Sequence, residues 1–114
     1  MWKIEEEMRY AIMNRKPFMK GNTEFRQNSE GIWELFLQGR KIAKFKNTNS
    51  NIPTEISFAG CVTDTDIAIT KSRLNALDGV HINFKNFIPY LNGKKLESKE
   101  NRGWGLYEFH LVQN

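Results

Sequence analysis

Ile32-Trp33-Glu34-Leu35-Phe36-Leu37-Gln38-Gly39-Arg40-Lys41-Ile42-Ala43-Lys44-Phe45-Lys46 decides the fold. Two runs rich in aromatic and aliphatic residues flank Gln38-Gly39, and Gly39 can take the positive φ that a tight hairpin needs. The stretch therefore predicts an antiparallel hairpin, Ile32 to Leu37 against Arg40 to Lys46. The register of a two-residue turn sets Leu35 opposite Ile42 and Trp33 opposite Lys44.

Working outward, Thr23 to Gln27 reads as a preceding strand, joined through the turn residues Asn28-Ser29-Glu30-Gly31. Thr54 to Ala59 reads as a following strand after the polar tip Asn47 to Asn51, and Gly60 breaks it. Residues 2–14 predict an amphipathic helix, with Ile4, Met8, Ala11 and Ile12 on one stripe, Glu5, Glu6 and Glu7 in its first turns and Pro17 beyond its end. Residues 63–78 predict a second helix, with Thr63, Asp64, Thr65, Asp66 and Thr70 as candidate N-caps, an Ile67, Leu74, Leu77 stripe and Gly79 as C-cap. Val80 to Phe84 alternates as a strand. Phe87 to Leu91 follows as another, placed at an edge or bulge by Pro89. Asn92-Gly93 is the strongest turn signal, Lys94 to Arg102 is polar, and Trp104 to Val112 closes the chain as a strand.

Segregated hairpins rather than alternating βαβ units give an α+β class: a mainly antiparallel sheet of five to seven strands, with the N-terminal helix and the mid-chain helix packed on one face. The 114 residues suit a single domain spanning 1–114. Cys61 is the sole cysteine, so no intramolecular disulfide can form, and with two histidines no zinc-ligand spacing exists. No metal or cofactor is expected. There is no apolar run of membrane-spanning length, and Glu5, Glu6 and Glu7 stand where a signal peptide would be basic and then apolar. A reducing cytoplasmic setting is the expectation. The net charge of +4 is uneven: residues 15–46 carry +5, residues 80–114 carry +2, and the other two segments are negative. Acidic partners are permitted by this balance.

Three fragments stand out: Gly21-Asn22-Thr23, Leu37-Gln38-Gly39-Arg40-Lys41-Ile42-Ala43, and Thr70-Lys71-Ser72-Arg73-Leu74-Asn75-Ala76-Leu77. Their order resembles a group of short bacteriophage-encoded proteins of unknown function, whose pattern reads roughly GNT, LHGNxIA, GWxTxTTxSRLNAL. The resemblance spans about residues 8–91. Gln38 and Arg40 stand where that pattern has His and Asn, Cys61 stands where it has Trp, and Asp66 to Ile69 reads as a four-residue insertion. The resemblance implies a phage accessory product in an infected bacterial cytoplasm, and no activity comes with it.

No catalytic constellation emerges, and an enzyme is not expected. Cys61 with His81 or His110 could be a nucleophile and base, but a lone cysteine among apolar neighbours is usually a small hydrophobe. Asp64 and Asp66 suit helix capping better than acid–base work. Gly103-Trp104-Gly105 precedes a strand and is too short for a phosphate loop. Arg73 and Asn75 lie off the Ile67, Leu74, Leu77 stripe; an exposed role is open, with a packing role slightly favoured. Gly21-Asn22-Thr23 reads as the turn between the first helix and the first strand. Arg40, Lys41, Lys44 and Lys46 near Trp33, Phe36 and Phe45 form the candidate functional surface. Two functions follow. The first is a non-catalytic protein docking on a host protein. The second is a single-stranded DNA- or RNA-binding protein that uses hairpin 32–46, with charge along the backbone and rings on the bases.

Overall fold

The structure, a computed structural model, describes residues 3–60, 63–96 and 108–112. Helix α1 (Lys3–Asn14) leads into β1 (Phe18–Lys20), β2 (Thr23–Gln27), β3 (Trp33–Leu37), β4 (Arg40–Phe45) and β5 (Glu55–Ile56). Helix α2 (Asp64–Asn75) follows, then β6 (Ile82–Lys85), β7 (Ile88–Leu91), β8 (Lys94–Lys95) and β9 (His110–Leu111). The strands form a six-stranded antiparallel sheet in the order β1-β2-β3-β4-β5-β9 and a separate three-stranded sheet in the order β6-β7-β8. This is the expected α+β arrangement, with the last hairpins set apart as their own small sheet. Of the predicted closing strand, residues 104–107 lie outside the described residues.

The core lies between the helices and the inner face of the large sheet. Met8, Ala11 and Ile12 of α1 and Leu74 of α2 pack with Phe25, Leu35, Leu37, Ala43, Phe45 and Ile56. Phe25 stacks on Trp33 at 4.8 Å and meets Phe45 edge-on at 5.6 Å, and Phe58 meets Phe84 edge-on at 5.8 Å across to the small sheet. Such pairs add about 0.5–1.5 kcal/mol each beyond area burial.

The β3–β4 hairpin turns at Gln38 (φ +53) and Gly39 (φ +77), both left-handed as a two-residue turn of this kind requires. Its register differs from the simple one. Trp33 pairs with Phe45 and Leu35 with Ala43, and a bulge follows, so that Phe36 pairs with Lys41 and Ile42 is the extra residue. The physical reason is the alternation of faces. Without the bulge Lys44 would stand beside Trp33 on the core face; with it, Ile42 and Ala43 are both buried and Lys44 turns outward opposite Glu34.

Three further differences have local causes. Gly21 (φ +57) turns β1 into β2 rather than α1 into a first strand, because the three residues after Pro17 are too few to show a period of two. Helix α1 ends at Asn14 in a Schellman pair, Arg15 N–H to the Ile12 carbonyl and Lys16 N–H to the Ala11 carbonyl. Arg15 (φ +48) takes the position glycine usually fills, and its guanidinium repays this by donating to the Asn47 and Ser50 carbonyls at 3.1 and 2.6 Å. Strand β7 is central to its sheet despite Pro89. Pro89 is the partner of Phe84 and its nitrogen faces away from β6. Its carbonyl accepts from Leu96 N–H at 3.0 Å, but it has no N–H to return, and the β7–β8 ladder ends there. The strand expected at 54–59 shortens to Glu55–Ile56, ahead of left-handed Ala59 and Gly60.

Candidate functional site

The hairpin residues do not converge as an open basic surface. Trp33 is 8% exposed and stacked on Phe25 in the core, and Phe45 is buried with it, so neither ring can meet a base. Phe36, on the outer face, lies under the Arg26 guanidinium at 4.2 Å. The cations are engaged as well. Lys41 pairs with buried Glu34 at 2.7 Å, Lys46 pairs with Glu55 at 2.8 Å, and Lys44 sits 4.2 Å over the Phe109 ring. Arg40 donates to the Phe58 carbonyl at 3.2 Å and to Gln38 at 3.4 Å. The reason is spatial: Glu55 of β5 and Phe109, just before β9, are distant in sequence, so a count over 15–46 misses partners that fold against it.

Arg73 and Asn75 hold the scaffold together. Thr63 caps α2, accepting from Asp66 N–H at 3.1 Å, with Asp64 and Asp66 in the first turn. Arg73 is 2% exposed and Glu5 of α1 is 4% exposed. One Glu5 oxygen accepts from Arg73 at 2.8 Å and from Ser72 at 2.6 Å, while Arg73 Nε donates to Thr23 of β2 at 3.1 Å. Around α2, Arg73 stands about 60° from Thr70, and the two share the buried side of the helix with Leu74. Asn75 clasps β6: its amide donates to the Ile82 carbonyl at 3.1 Å and its oxygen accepts from Ile82 N–H at 2.6 Å. The run Ser72 to Asn75 thus joins α1, β2, α2 and β6. The Gly21–Thr23 and Leu37–Ala43 runs meet it there, since Gln38 N–H donates to the Asn22 carbonyl at 2.7 Å and Thr23 pairs with Leu37.

Among the described residues no group of His, Cys, Asp or Glu could hold a metal ion, and no helix is long and apolar enough to cross a membrane. Cys61 and Gly103-Trp104-Gly105 lie outside the described residues.

Two surfaces that the sequence reading passed over are open. Beside β1, an edge strand among the described residues, a groove of about 430 Å³ is lined by Tyr10, Pro17, Phe18 and Met19, with Glu7, Lys16 and Lys20 among its polar residues. Tyr10 and Met19 are strongly exposed, and so is Met13, one turn along α1 from Tyr10. Lys20 donates to Glu7 at 2.6 Å, which ties β1 to α1 and holds the Glu7 carboxyl below its ordinary range. The second surface is the small sheet. From Gly79 to Leu96 the chain has three lysines and no acidic residue, and Phe87 at the β6–β7 tip is 81% exposed.

No curated protein and no solved structure matches the chain. A family model described as the Kyanoviridae Gp96 protein matches residues 1–110, nearly the whole length, and the chain therefore belongs to this phage-encoded family of unknown function.

Proposed function

We propose that the protein is a non-catalytic phage accessory factor that docks on a host protein, and that the groove beside β1 is its docking surface. One observation carries the reading. Tyr10 and Met19, two of the most exposed large apolar side chains, line one groove beside a sheet edge that pairs with no other described strand. Contiguous exposed apolar surface is a mark of interaction sites, and a free edge can pair with an extended segment of a partner. Methionine side chains adapt to the shape of what they meet. The family, shared with other phage-encoded chains, supports an action on the infected cell and leaves the partner open.

The test is capture from host lysate with tagged protein, run in parallel with a Tyr10→Asp, Met19→Asp variant and with Phe87→Gly. Discrete host proteins retained by the wild type and by Phe87→Gly, but lost from the groove variant, are the expected result. Identical captures with and without the groove substitutions, or no capture at all, would refute it.

A further inference from the structure

The small sheet has a chemistry of its own. Register and burial divide its side chains into two faces. Ile82, Phe84, Pro89 and Leu91 turn inward, with Phe84 against Phe58. Asn83, Lys85, Ile88 and Tyr90 take the other face, and Lys95 joins them as the cross-strand partner of Tyr90. Tyr90 and Lys95 form a non-hydrogen-bonded pair, the kind that brings side chains closest. Lys85 lies 5.1 Å over the Tyr90 ring. Lys85, Lys94 and Lys95 are exposed and make no ion pair with any described residue, in contrast to Lys41 and Lys46 on the large sheet.

The tip adds a second, independent feature. The two-residue turn between β6 and β7 is Asn86 (φ +51) and Phe87 (φ +66). Asparagine tolerates that region and glycine prefers it, but for a bulky ring it is a strained outlier. This ring is held in water, where it contributes nothing to the core. Strain that folding does not require points to a binding role.

We propose that this outer face is a single-stranded nucleic-acid site, in which Lys85 and Lys95 follow the phosphates and Phe87 and Tyr90 stack on bases. The partner follows from the charge and the rings together. Exposed lysines that pair with no described acid suit a polyanion, and the exposed Phe87 ring beside half-buried Tyr90 suits unpaired bases, whose π-surfaces a duplex conceals. The Lys85 contact with Tyr90 is a weak exposed one that yields to a phosphate. This surface is separate from the groove beside β1 and does not depend on it.

The test is fluorescence anisotropy with a labelled oligothymidylate of about 15 nucleotides, a length within the usual site sizes. Two neutralised phosphates give a salt slope of about −1.4, so affinity should fall about 7-fold between roughly 50 and 200 mM salt. Phe87→Gly should weaken binding about 5- to 150-fold, the range for loss of one stacked base, while its Tm holds or rises because the turn is relieved. Lys85→Gln with Lys95→Gln should weaken binding, and the charge-matched Lys44→Gln with Lys46→Gln should change it little. Several results would overturn the proposal: no binding at low salt, equal loss from the two lysine pairs, unchanged affinity in Phe87→Gly, or equal affinity for a duplex. Displacement of the oligomer by polyglutamate at matched charge would reassign the face to an acidic protein and overturn it too.

Discussion

Replacing Glu5 with Leu leaves the Arg73 guanidinium buried without its carboxylate, and the cost follows from the geometry. Both groups are almost fully enclosed and 2.8 Å apart. Coulomb attraction at that depth offsets a desolvation cost of several kcal/mol per ion, so breaking such a pair costs about 3–5 kcal/mol. For 114 residues the unfolding entropy is about 0.24 kcal/mol/K, so the same loss lowers Tm by about 12–20 °C. Urea unfolding followed by circular dichroism measures it, with an unchanged m-value as the check that both end states are intact. The double variant Glu5→Leu, Arg73→Met removes both charges and should recover most of the loss, to within about 2 kcal/mol of the wild type, because an apolar pair of similar volume is a fair substitute for a buried ion pair. A cost below about 1 kcal/mol for Glu5→Leu would refute the reasoning. So would a double variant as unstable as the two single losses added, since the two sites would then be independent.

Other expectations rest on single contacts. Asn75→Ala strips the Ile82 backbone of two hydrogen bonds and should cost about 1–3 kcal/mol in the same unfolding assay. Gly79→Ala places a Cβ 2.9 Å from the Ile52 Cγ2 atom at a φ of +74, and a loss of at least about 1 kcal/mol is expected from strain and overpacking together. Glu7 has its carboxyl lowered chiefly by the hydrogen bond from Lys20, so its small contribution is present above the unfolded carboxyl pKa and fades as pH falls through the folded value. An NMR titration of Lys20→Met should find that carboxyl returned upward; an unchanged midpoint would remove Lys20 as the cause.

Much of the fold was readable because strong periods and turn residues spoke locally. Thr23 to Gln27 is bounded as its alternation suggests, and Gln38-Gly39 and Asn92-Gly93 turn where their chemistry demands. What escaped was set at a distance. The bulge at Ile42 answers to Lys44 needing water on a strand whose partner is fixed by Trp33, which no local pattern announces. Pro89, with no N–H to give, stops the β7–β8 ladder at Lys95. That the hairpin cations are engaged has a related reason. A cluster of cations in sequence is a basic surface only if no acid folds against it, and Glu34 and Glu55 do. The run from Gly79 to Leu96 differs in that its three lysines form no ion pair with a described residue. The Glu5–Arg73 contact was also legible in part. Glu5 shares a stripe with Met8 and Ile12, Arg73 shares the buried side of its helix with Thr70 and Leu74, and two opposite charges on buried faces ask for each other.

The contact between the first helix and the second has a consequence for biosynthesis. Glu5 and Arg73 are 68 residues apart. At about 5–20 residues per second the ribosome makes the carboxylate roughly 3–14 s before its cation exists. Throughout that interval the first helix carries, on the side it buries, an acid whose native partner has not yet been made. The complete contact between the two helices waits until about two-thirds of the chain exists.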